Sequence, residues 1–230
     1  MFTRFLSLYG YYAFMAVSTV SMLVLVIARR NRYKLSVIQA ILFTLILFVT
    51  GVTGAKILAI IQNGMTSFSG MSFFGAVYLV PLVMPFAGTL FKLKPLESLD
   101  VCAPCGAAMV GFMRFGCYCA GCCGGIPMNN SSMFWPTQLM EGTCDILILC
   151  FLLLVEARGI AKNKGYPLFL IGYGSIRFVL EFVRDTPKFW LGLSHGQWFS
   201  IVGISVASLM IFGDMIWKKR KSIKACSDQD

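Results

Sequence analysis

The chain has 230 residues, of which 57% are hydrophobic and 13% charged, and its formal net charge at pH 7 is +10. An ordinary soluble domain is excluded, because this composition lacks the polar residues needed to cover its surface. A nucleic-acid partner is excluded as well, because the basic residues lie between apolar segments and form no soluble basic face. The length allows one bundle, so the sequence predicts a single integral membrane domain.

Seven apolar segments follow one another along the chain, each of roughly the 20 residues that a helix needs to cross a bilayer. They predict an all-α fold, a polytopic transmembrane helix bundle. The predicted spans are residues 6–28, 35–61, 71–91, 101–120, 138–156, 166–184 and 195–217. We expect one membrane domain over residues 1–217, followed by a basic cytoplasmic tail at residues 218–230.

Two of the predicted spans are unusual. The first is not expected to be a cleaved signal peptide, because its apolar core is too long and no small-residue cleavage site follows it. The fourth is rich in Gly, Ala and Cys rather than in Leu and Ile, so it could form a bent or re-entrant segment packed inside the bundle.

The positions of the lysines and arginines predict the orientation of the bundle. Of the 20 basic residues, 14 fall in alternate connections and in the tail, at residues 29–34, 92–100, 157–165 and 218–230. The connections on the other side hold only Lys188. Because basic connections stay in the cytoplasm, we expect the N-terminus outside and the C-terminus in the cytoplasm.

Four basic residues remain in or at the edge of the predicted spans, namely Lys56, Arg114, Arg177 and Arg184. Each would cost roughly 2.5–3.5 kcal/mol facing lipid at a helix centre, so we expect them to face the bundle interior. For Lys56 and Arg184, snorkelling or a structural ion pair is the competing interpretation. For Arg114 and Arg177 we favour a cavity that binds an anion, and the abundant anions of a bilayer are lipid phosphates.

One segment places several polar side chains on a single helix face. In GYGSIRFVLEFVRD, Tyr173, Arg177, Glu181 and Arg184 follow one another at spacings of four, four and three residues. These spacings stack the side chains along one stripe of an α-helix. The stripe is predicted to face the bundle interior, with Arg114 on the opposite wall of a site for a lipid headgroup.

Six of the nine cysteines lie between residues 102 and 123. Cys102 and Cys105 form a CxxC pair, which is typical of redox proteins but here is interpreted as small apolar filler. A metal site is a second possibility for the cysteines that follow, although no histidine lies nearby to complete it. These cysteines are Cys117, Cys119, Cys122 and Cys123.

A glycine-rich stretch ends the fourth span directly after Arg114. Glycines such as Gly121 and Gly125 let the backbone approach a ligand, and their N–H groups could bind a phosphate. Together with the arginine, this stretch indicates an anion site.

The order of several motifs resembles that of the prolipoprotein diacylglyceryl transferase family along nearly the whole chain. The motifs are Tyr9-Gly10, GAK at 54–56, SGMSFFG at 69–75, Asp100 with Ala103-Pro104 and then MRFGCYCAGCCGG, PTQLMEG at 136–142, YGxxRFxxEFxR from Tyr173, and SxGQ at 194–197. The resemblance implies an enzyme of the bacterial inner membrane. Such an enzyme moves diacylglyceryl from phosphatidylglycerol to the thiol of the lipobox cysteine in a prolipoprotein signal peptide.

The resemblance also implies roles for individual residues. Arg114 and Arg177 would hold the headgroup and the leaving phosphate, Tyr9 and Tyr173 would position substrate, and Glu181 would orient Arg177. Further substrate-binding positions implied by the matching motifs are Lys56, Gly121, Gly125, Gln138, Glu141, Arg184 and Gln197. No cofactor and no metal ion are expected.

The chain departs from the family pattern at several positions, and one of them is the position proposed for the general base. Phe74 stands where the family often has a histidine proposed as general base, and Cys117 and Cys122 stand in place of asparagine and glutamate. Trp135 and Met140 replace a histidine and a tyrosine. Two alternatives therefore stay open: a relative that binds lipid headgroups without catalysis, and a membrane thiol-redox or metal protein.

Overall fold

The computed structural model describes residues 2–65, 70–128, 133–160 and 162–227, without the side chains of 2–8 and 217–227. Ser69 of the SGMSFFG motif and the side chains of the predicted basic tail therefore lie outside the described part. Within it the chain forms seven α-helices. They are α1 Phe2–Arg29, α2 Val37–Gln62, α3 Phe73–Thr89, α4 Pro95–Ala120, α5 Thr137–Ala157, α6 Gly165–Leu180 and α7 His195–Ser227.

The helices confirm the predicted all-α membrane bundle. Six of the described helices are long and apolar enough to cross a membrane, and α3, with 17 residues, is shorter. α7 continues to Ser227, ten residues beyond the predicted end of the seventh span. The fourth segment is one continuous helix of 26 residues and not a re-entrant segment.

Local sequence signals explain where several helices begin and end. Ser36 precedes α2 and closes a capping box with Gln39, which satisfies backbone N–H groups that have no partner inside the helix. Pro95 opens α4, where its missing N–H costs nothing. Gly121 ends α4 with a φ of 67°, a left-handed conformation that suits glycine at a helix C-terminus.

Helix α4 is the centre of the bundle and contacts α1, α3, α5 and α6. Its small residues make this possible, because each allows a neighbouring helix to approach closely. A Cβ on Gly111 would lie 3.0 Å from a side-chain carbon of Ile146 on α5, and one on Gly116 would lie 3.2 Å from Cβ of Phe14 on α1. The high content of Gly, Ala and Cys that makes this span unusual is therefore the reason for its central, buried position.

Helices α2 and α3 cross where two glycines face each other. A Cβ on Gly54 would run into the backbone of Gly75, and a Cβ on Gly75 would run into the backbone of Gly54. Both glycines belong to motifs noted in the sequence, GAK and SGMSFFG, so at this crossing these motifs serve helix packing.

Gly75→Ala is expected to destabilise the protein by about 1–3 kcal/mol, since the added methyl group meets backbone that can only move away. Gly213→Ala on α7 is the matched control, because a Cβ there meets no atom within 4 Å. Thermal unfolding in detergent should show a lower Tm for the first variant and an unchanged or slightly higher Tm for the second. Equal Tm values for the two variants would contradict the crossing.

Candidate functional site

Glu141, in the second turn of α5, is the acceptor for three arginines. Its carboxylate is fully buried. Arg114 Nη2 lies 3.0 Å from Oε1, and the Nη1 atoms of Arg177 and Arg184 each lie 3.1 Å from Oε2. The structure thus brings the three arginines singled out in the sequence to one carboxylate. We call Glu141, Glu181 and these three arginines the arginine–glutamate cluster.

The arginines reach Glu141 from different parts of the fold. Arg114 projects from α4 and Arg177 from the last turn of α6. Arg184 follows the short 3₁₀ turn after α6, where its backbone pairs with Gly125 in an isolated antiparallel bridge. The bridge is extended by the N–H of Ile126, which donates to the carbonyl oxygen of Val183 at 2.9 Å. The loop after α4 therefore fixes the position of Arg184.

Glu181 is the second carboxylate of the cluster and is also buried. Its Oε2 lies 3.1 Å from Arg177 Nη2 and 3.9 Å from Arg184 Nε. Gly196 at the start of α7 leaves room for it, because a Cβ there would lie 2.9 Å from the Glu181 carboxyl carbon. Glu181 is thus in contact with Arg177, as its predicted orienting role requires.

The cluster has more donors than acceptors. Each guanidinium carries five N–H groups, so the three arginines offer more donors than the two carboxylates offer lone-pair sites. In the described part of the chain Glu141 Oε1 and Glu181 Oε2 also lack a hydrogen-bond partner, although each lies within ion-pair distance of an arginine. Among the described residues, Arg114 Nε and Arg184 Nε are buried without a hydrogen-bond partner. The three arginines form ion pairs with these two carboxylates. An anion bound here would accept hydrogen bonds from the N–H groups that have no partner.

Asp145 lies one turn beyond Glu141 on the same face of α5, and sequence reasoning did not place it in the site. It is fully buried, and in the described part of the chain neither carboxyl oxygen has a hydrogen-bond partner. Its spacing of four residues from Glu141 is a signal that could have found it, because two acidic residues on one face of an apolar helix require cations opposite them.

Tyr173 lies in an aromatic cluster beside the arginines. It is fully buried, and its ring packs at centroid distances of 5.2 Å from Phe73, 5.5 Å from Phe74 and 5.8 Å from Phe169. Phe74 also packs against Tyr78 and is itself buried. The position where the family often has a histidine is therefore part of an apolar cluster.

The glycine-rich loop after α4 uses its backbone donors internally. The N–H of Gly121 donates to the carbonyl oxygen of Tyr118 at 3.1 Å, and that of Gly125 donates to the carbonyl oxygen of Trp135 at 3.1 Å. These two N–H groups therefore have backbone partners, and the predicted substrate-binding roles of Gly121 and Gly125 stay predictions. At Gly125 a Cβ would also lie 2.5 Å from the carbonyl oxygen of Val183. The structural role of Gly125 is thus to let the loop pack closely against the segment that carries Val183.

Gln138 holds the same loop from the side of α5. Its Nε2 donates to the carbonyl oxygen of Cys122 at 2.6 Å, and Oγ1 of Thr137 donates to the carbonyl oxygen of Cys123 at 3.1 Å. The side chain that the sequence assigned to substrate is thus engaged with the cysteine-bearing loop.

The cysteines divide into two groups. Cys102 and Cys105 are buried in the core as free thiols, as expected for small apolar fillers. The Sγ atoms of Cys117, Cys122 and Cys123 all lie within 4.8 Å of one another. The pKa of Cys123 is lowered to about 5, chiefly by its hydrogen bond with the Cys117 thiol and further by the nearby positive charge of Arg114.

Three other predicted site residues lie on different elements. Tyr9 is 58% exposed on α1, and Lys56 is half-buried on α2 next to the crossing with α3. Their roles stay predictions. Gln197 is buried in the cap of α7: its Oε1 accepts from the N–H of Ser194 at 3.0 Å, and its own N–H donates to Ser194 Oγ at 3.2 Å. The cap accounts for Gln197 without a substrate.

A second ion-pair cluster and a cavity of about 770 Å³ lie at the opposite end of the bundle. There Arg29 Nη2 contacts Glu156 Oε2 at 2.7 Å and donates to the carbonyl oxygen of Asp100 at 2.9 Å. Residues that line the cavity include Tyr33 and Glu156, and none belongs to the arginine–glutamate cluster. The two ends of the bundle therefore carry separate charged sites.

These features define a multi-pass helical membrane protein with a buried site of arginine and glutamate side chains. The sequence model of the family described as prolipoprotein diacylglyceryl transferase matches residues 3–213. The chain belongs to this family, which confirms the resemblance seen in the motifs and the predicted class of membrane transferase. The family match favours this activity over a thiol-redox protein or a non-catalytic relative.

The chain is also similar to curated relatives named phosphatidylglycerol–prolipoprotein diacylglyceryl transferase. It is 27% identical to one from Clostridium perfringens over 203 residues, which cover 77% of this chain and 79% of that protein. It is 26% identical to one from Clostridium tetani over 233 residues, covering 89% and 94% of the two chains. A relative from Methylobacillus flagellatus is 33% identical over 147 residues, which cover 57% of this chain and 56% of the relative.

Proposed function

We propose that the protein transfers diacylglyceryl from phosphatidylglycerol to the lipobox cysteine in the signal peptide of a prolipoprotein, and that the arginine–glutamate cluster binds the lipid phosphate. The observation that carries the proposal is the convergence of Arg114, Arg177 and Arg184 on Glu141. The names of the relatives from two Clostridium species give phosphatidylglycerol and a prolipoprotein as the substrates of those proteins, which supports the proposal.

A purely structural ion-pair network explains the cluster less well. Buried ion pairs contribute little net stability, because desolvation offsets the attraction between the charges. The arginines form ion pairs with Glu141 and Glu181, while the buried Asp145 has no hydrogen-bond partner in the described part of the chain. The buried Nε atoms of Arg114 and Arg184 have no hydrogen-bond partner there either. Such an arrangement is costly in an empty site and favourable once a phosphate monoanion is bound.

The cluster can assist the reaction in a specific way. As the acceptor sulfur attacks the glyceryl carbon, the bond from that carbon to the phosphate oxygen breaks and negative charge develops on the leaving glycerol phosphate. Guanidinium groups held in place by Glu141 and Glu181 stabilise this charge without having to reorganise. Arg177 is the best placed for this, because its two Nη atoms are held by different carboxylates.

The proposed setting is the cytoplasmic membrane of a bacterium, with the N-terminus outside. In that orientation the arginine–glutamate cluster lies toward the outer end of the bundle, near the ends of α4 and α6 and the start of α5. The prolipoprotein signal peptide would then present its cysteine at the outer face. The basic connections and the start of the tail would lie in the cytoplasm.

A transfer assay tests the proposal. Purified protein in phosphatidylglycerol vesicles with a labelled acyl chain is mixed with a lipobox peptide, and label on the peptide is measured alongside released glycerol phosphate. We expect one glycerol phosphate for each peptide modified, and loss of both signals in Arg177→Ala. Binding of lipid that depends on Arg177, without any transfer, would instead establish a relative that binds headgroups only.

A further inference from the structure

Three thiols converge beside the proposed phosphate site. The Sγ atoms of Cys117, Cys122 and Cys123 lie within 4.8 Å of one another. The last two are exposed, so both a cation and a peptide can reach them from outside the bundle. Gly125, two residues after Cys123, pairs with the backbone of Arg184 in the antiparallel bridge, and Gln138 of α5, three residues before Glu141, is hydrogen-bonded to Cys122. The trithiol cluster, as we call these three residues, thus adjoins the arginine–glutamate cluster.

The backbone around the trithiol cluster is held in place on two sides. The N–H of Cys122 donates to the carbonyl oxygen of Cys117 at 3.1 Å, which closes the end of α4. Thr137 and Gln138 at the start of α5 donate to the carbonyl oxygens of Cys123 and Cys122. The convergence of the sulfurs therefore follows from a hydrogen-bonded turn tied to a neighbouring helix.

The spacing of the sulfurs suits a thiophilic divalent cation. With Zn–S bonds of about 2.3 Å in tetrahedral geometry, the sulfurs would lie roughly 3.8 Å apart. The sulfurs lie at most 4.8 Å apart, so each pair would have to approach by at most about 1 Å to bind the ion. The two exposed side chains can make this approach by small changes of χ1. Zinc with three thiolates carries one net negative charge, and the nearby guanidinium groups offset it.

The cluster leaves one zinc coordination position open. In the described part of the chain no fourth Cys, His, Asp or Glu joins the three sulfurs. Cys119, the remaining cysteine of this segment, contacts α1: its Cβ would lie 2.9 Å from a Cβ on Gly10. Three protein ligands and one free position distinguish catalytic zinc sites from structural ones.

We propose that Cys117, Cys122 and Cys123 bind Zn²⁺ and that its open position takes the acceptor cysteine of the prolipoprotein as a thiolate. The inference rests on the proposed function, because it assigns the activation of that thiol. A thiol is deprotonated when it coordinates zinc. Such a site would supply the activated nucleophile that Phe74, buried among aromatic rings, cannot help to form.

The proposed reaction balances without any redox step. The acceptor thiol binds the zinc ion and its proton passes to water. The zinc-bound sulfur then forms a bond with the glyceryl carbon, the carbon–oxygen bond to the phosphate breaks, and its electron pair stays on the departing glycerol phosphate. The thioether product is neutral and a weak zinc ligand, so it leaves the open position for the next acceptor.

Zinc content is the first test, measured on full-length protein purified with reductant and without chelator. We expect about one zinc ion per chain in the wild type and in Cys119→Ser, and loss of it in Cys122→Ser and Cys123→Ser. Cys119→Ser is the matched control, because it removes a thiol from the same segment outside the cluster. Equal zinc content in the wild type and both cluster variants would overturn the site, as would a disulfide between cluster cysteines in zinc-free protein.

Cobalt substitution tests the open position. Co²⁺ in the site should show thiolate-to-cobalt charge-transfer absorption that increases when a lipobox peptide is added and does not increase with a Cys→Ser peptide. A bound cobalt whose spectrum is unchanged by the peptide would overturn the role in acceptor binding. These readouts need no lipid and no turnover. The comparison of the two peptides uses wild-type protein alone, so it does not depend on whether the cysteine variants fold.

The transfer assay separates this inference from the proposed function. Removal of zinc from the wild type by a chelator should lower transfer by about 10²-fold or more, as expected for loss of thiol activation, and added zinc should restore it. Full transfer by zinc-free protein would refute the role of zinc in activating the acceptor thiol and leave the transferase intact. Zinc binding with no transfer under any condition would refute the transferase and the acceptor role together, and would leave a metal site.

Discussion

Glu141→Gln is expected to abolish transfer and to destabilise the protein by about 3–5 kcal/mol. The carboxylate is fully buried and within 3.1 Å of three guanidinium groups. An amide of the same shape removes the negative charge that pairs with all three arginines in a site shielded from water. The arginines would move apart, and the positions of the donors that stabilise the leaving phosphate would be lost.

Glu156→Gln is the matched control for this variant. Glu156 also holds a partly buried arginine, with Arg29 at 2.7 Å, but at the opposite end of the bundle. Both variants should unfold at lower temperature than the wild type, while only Glu141→Gln should lose transfer per folded molecule. Thermal unfolding in detergent and the transfer assay measure the two effects. Equal loss of transfer in both variants would mean that activity depends on stability alone and not on the cluster.

Arg177→Lys is expected to lower kcat/KM by about 10²–10³-fold, almost as much as Arg177→Ala. The guanidinium contacts Glu141 through Nη1 and Glu181 through Nη2, each at 3.1 Å. A lysine keeps the charge, but its single nitrogen cannot bridge two carboxylates and also donate to a phosphate. The variant should still be inserted and folded, because the charge balance of the cluster is unchanged.

Arg29→Lys tests whether any arginine replacement has this effect. Arg29 is the corresponding, partly buried arginine of the other ion-pair cluster, where it contacts Glu156 and backbone carbonyl oxygens. We expect its transfer kinetics to stay close to those of the wild type. Steady-state kinetics with phosphatidylglycerol as the varied substrate distinguish the cases, and near-normal kcat/KM in Arg177→Lys would contradict a bidentate role for this side chain.

The sequence predicted the elements well, because apolar length is a direct signal for membrane helices. All seven predicted spans are helices, and the stripe of Tyr173, Arg177 and Glu181 is buried as proposed from the cost of exposing charge to lipid. Helix ends were less certain. α7 continues past the predicted boundary, because hydropathy reports where the bilayer ends and not where the hydrogen-bonded helix does.

The contacts of the arginines with Glu141 were harder to predict. Arg114 and Arg177 are separated from Glu141 by 27 and 36 residues, and only the packing of α4, α5 and α6 brings them together. Gln197 shows the opposite case. Ser194 and Gln197 have the S-x-x-Q spacing of a capping box, and this local pattern predicts the observed cap better than it predicts a substrate contact.

The most direct measurement is an experimental structure of the protein with bound phosphatidylglycerol in lipid nanodiscs. We expect the phosphate oxygens of the lipid in the site to lie within about 3 Å of guanidinium nitrogens of Arg114 and Arg177, with Glu141 still bridging the arginines. A headgroup held at the opposite end of the bundle, in the cavity beside Tyr33 and Glu156, would contradict the assignment of the arginine–glutamate cluster as the donor site.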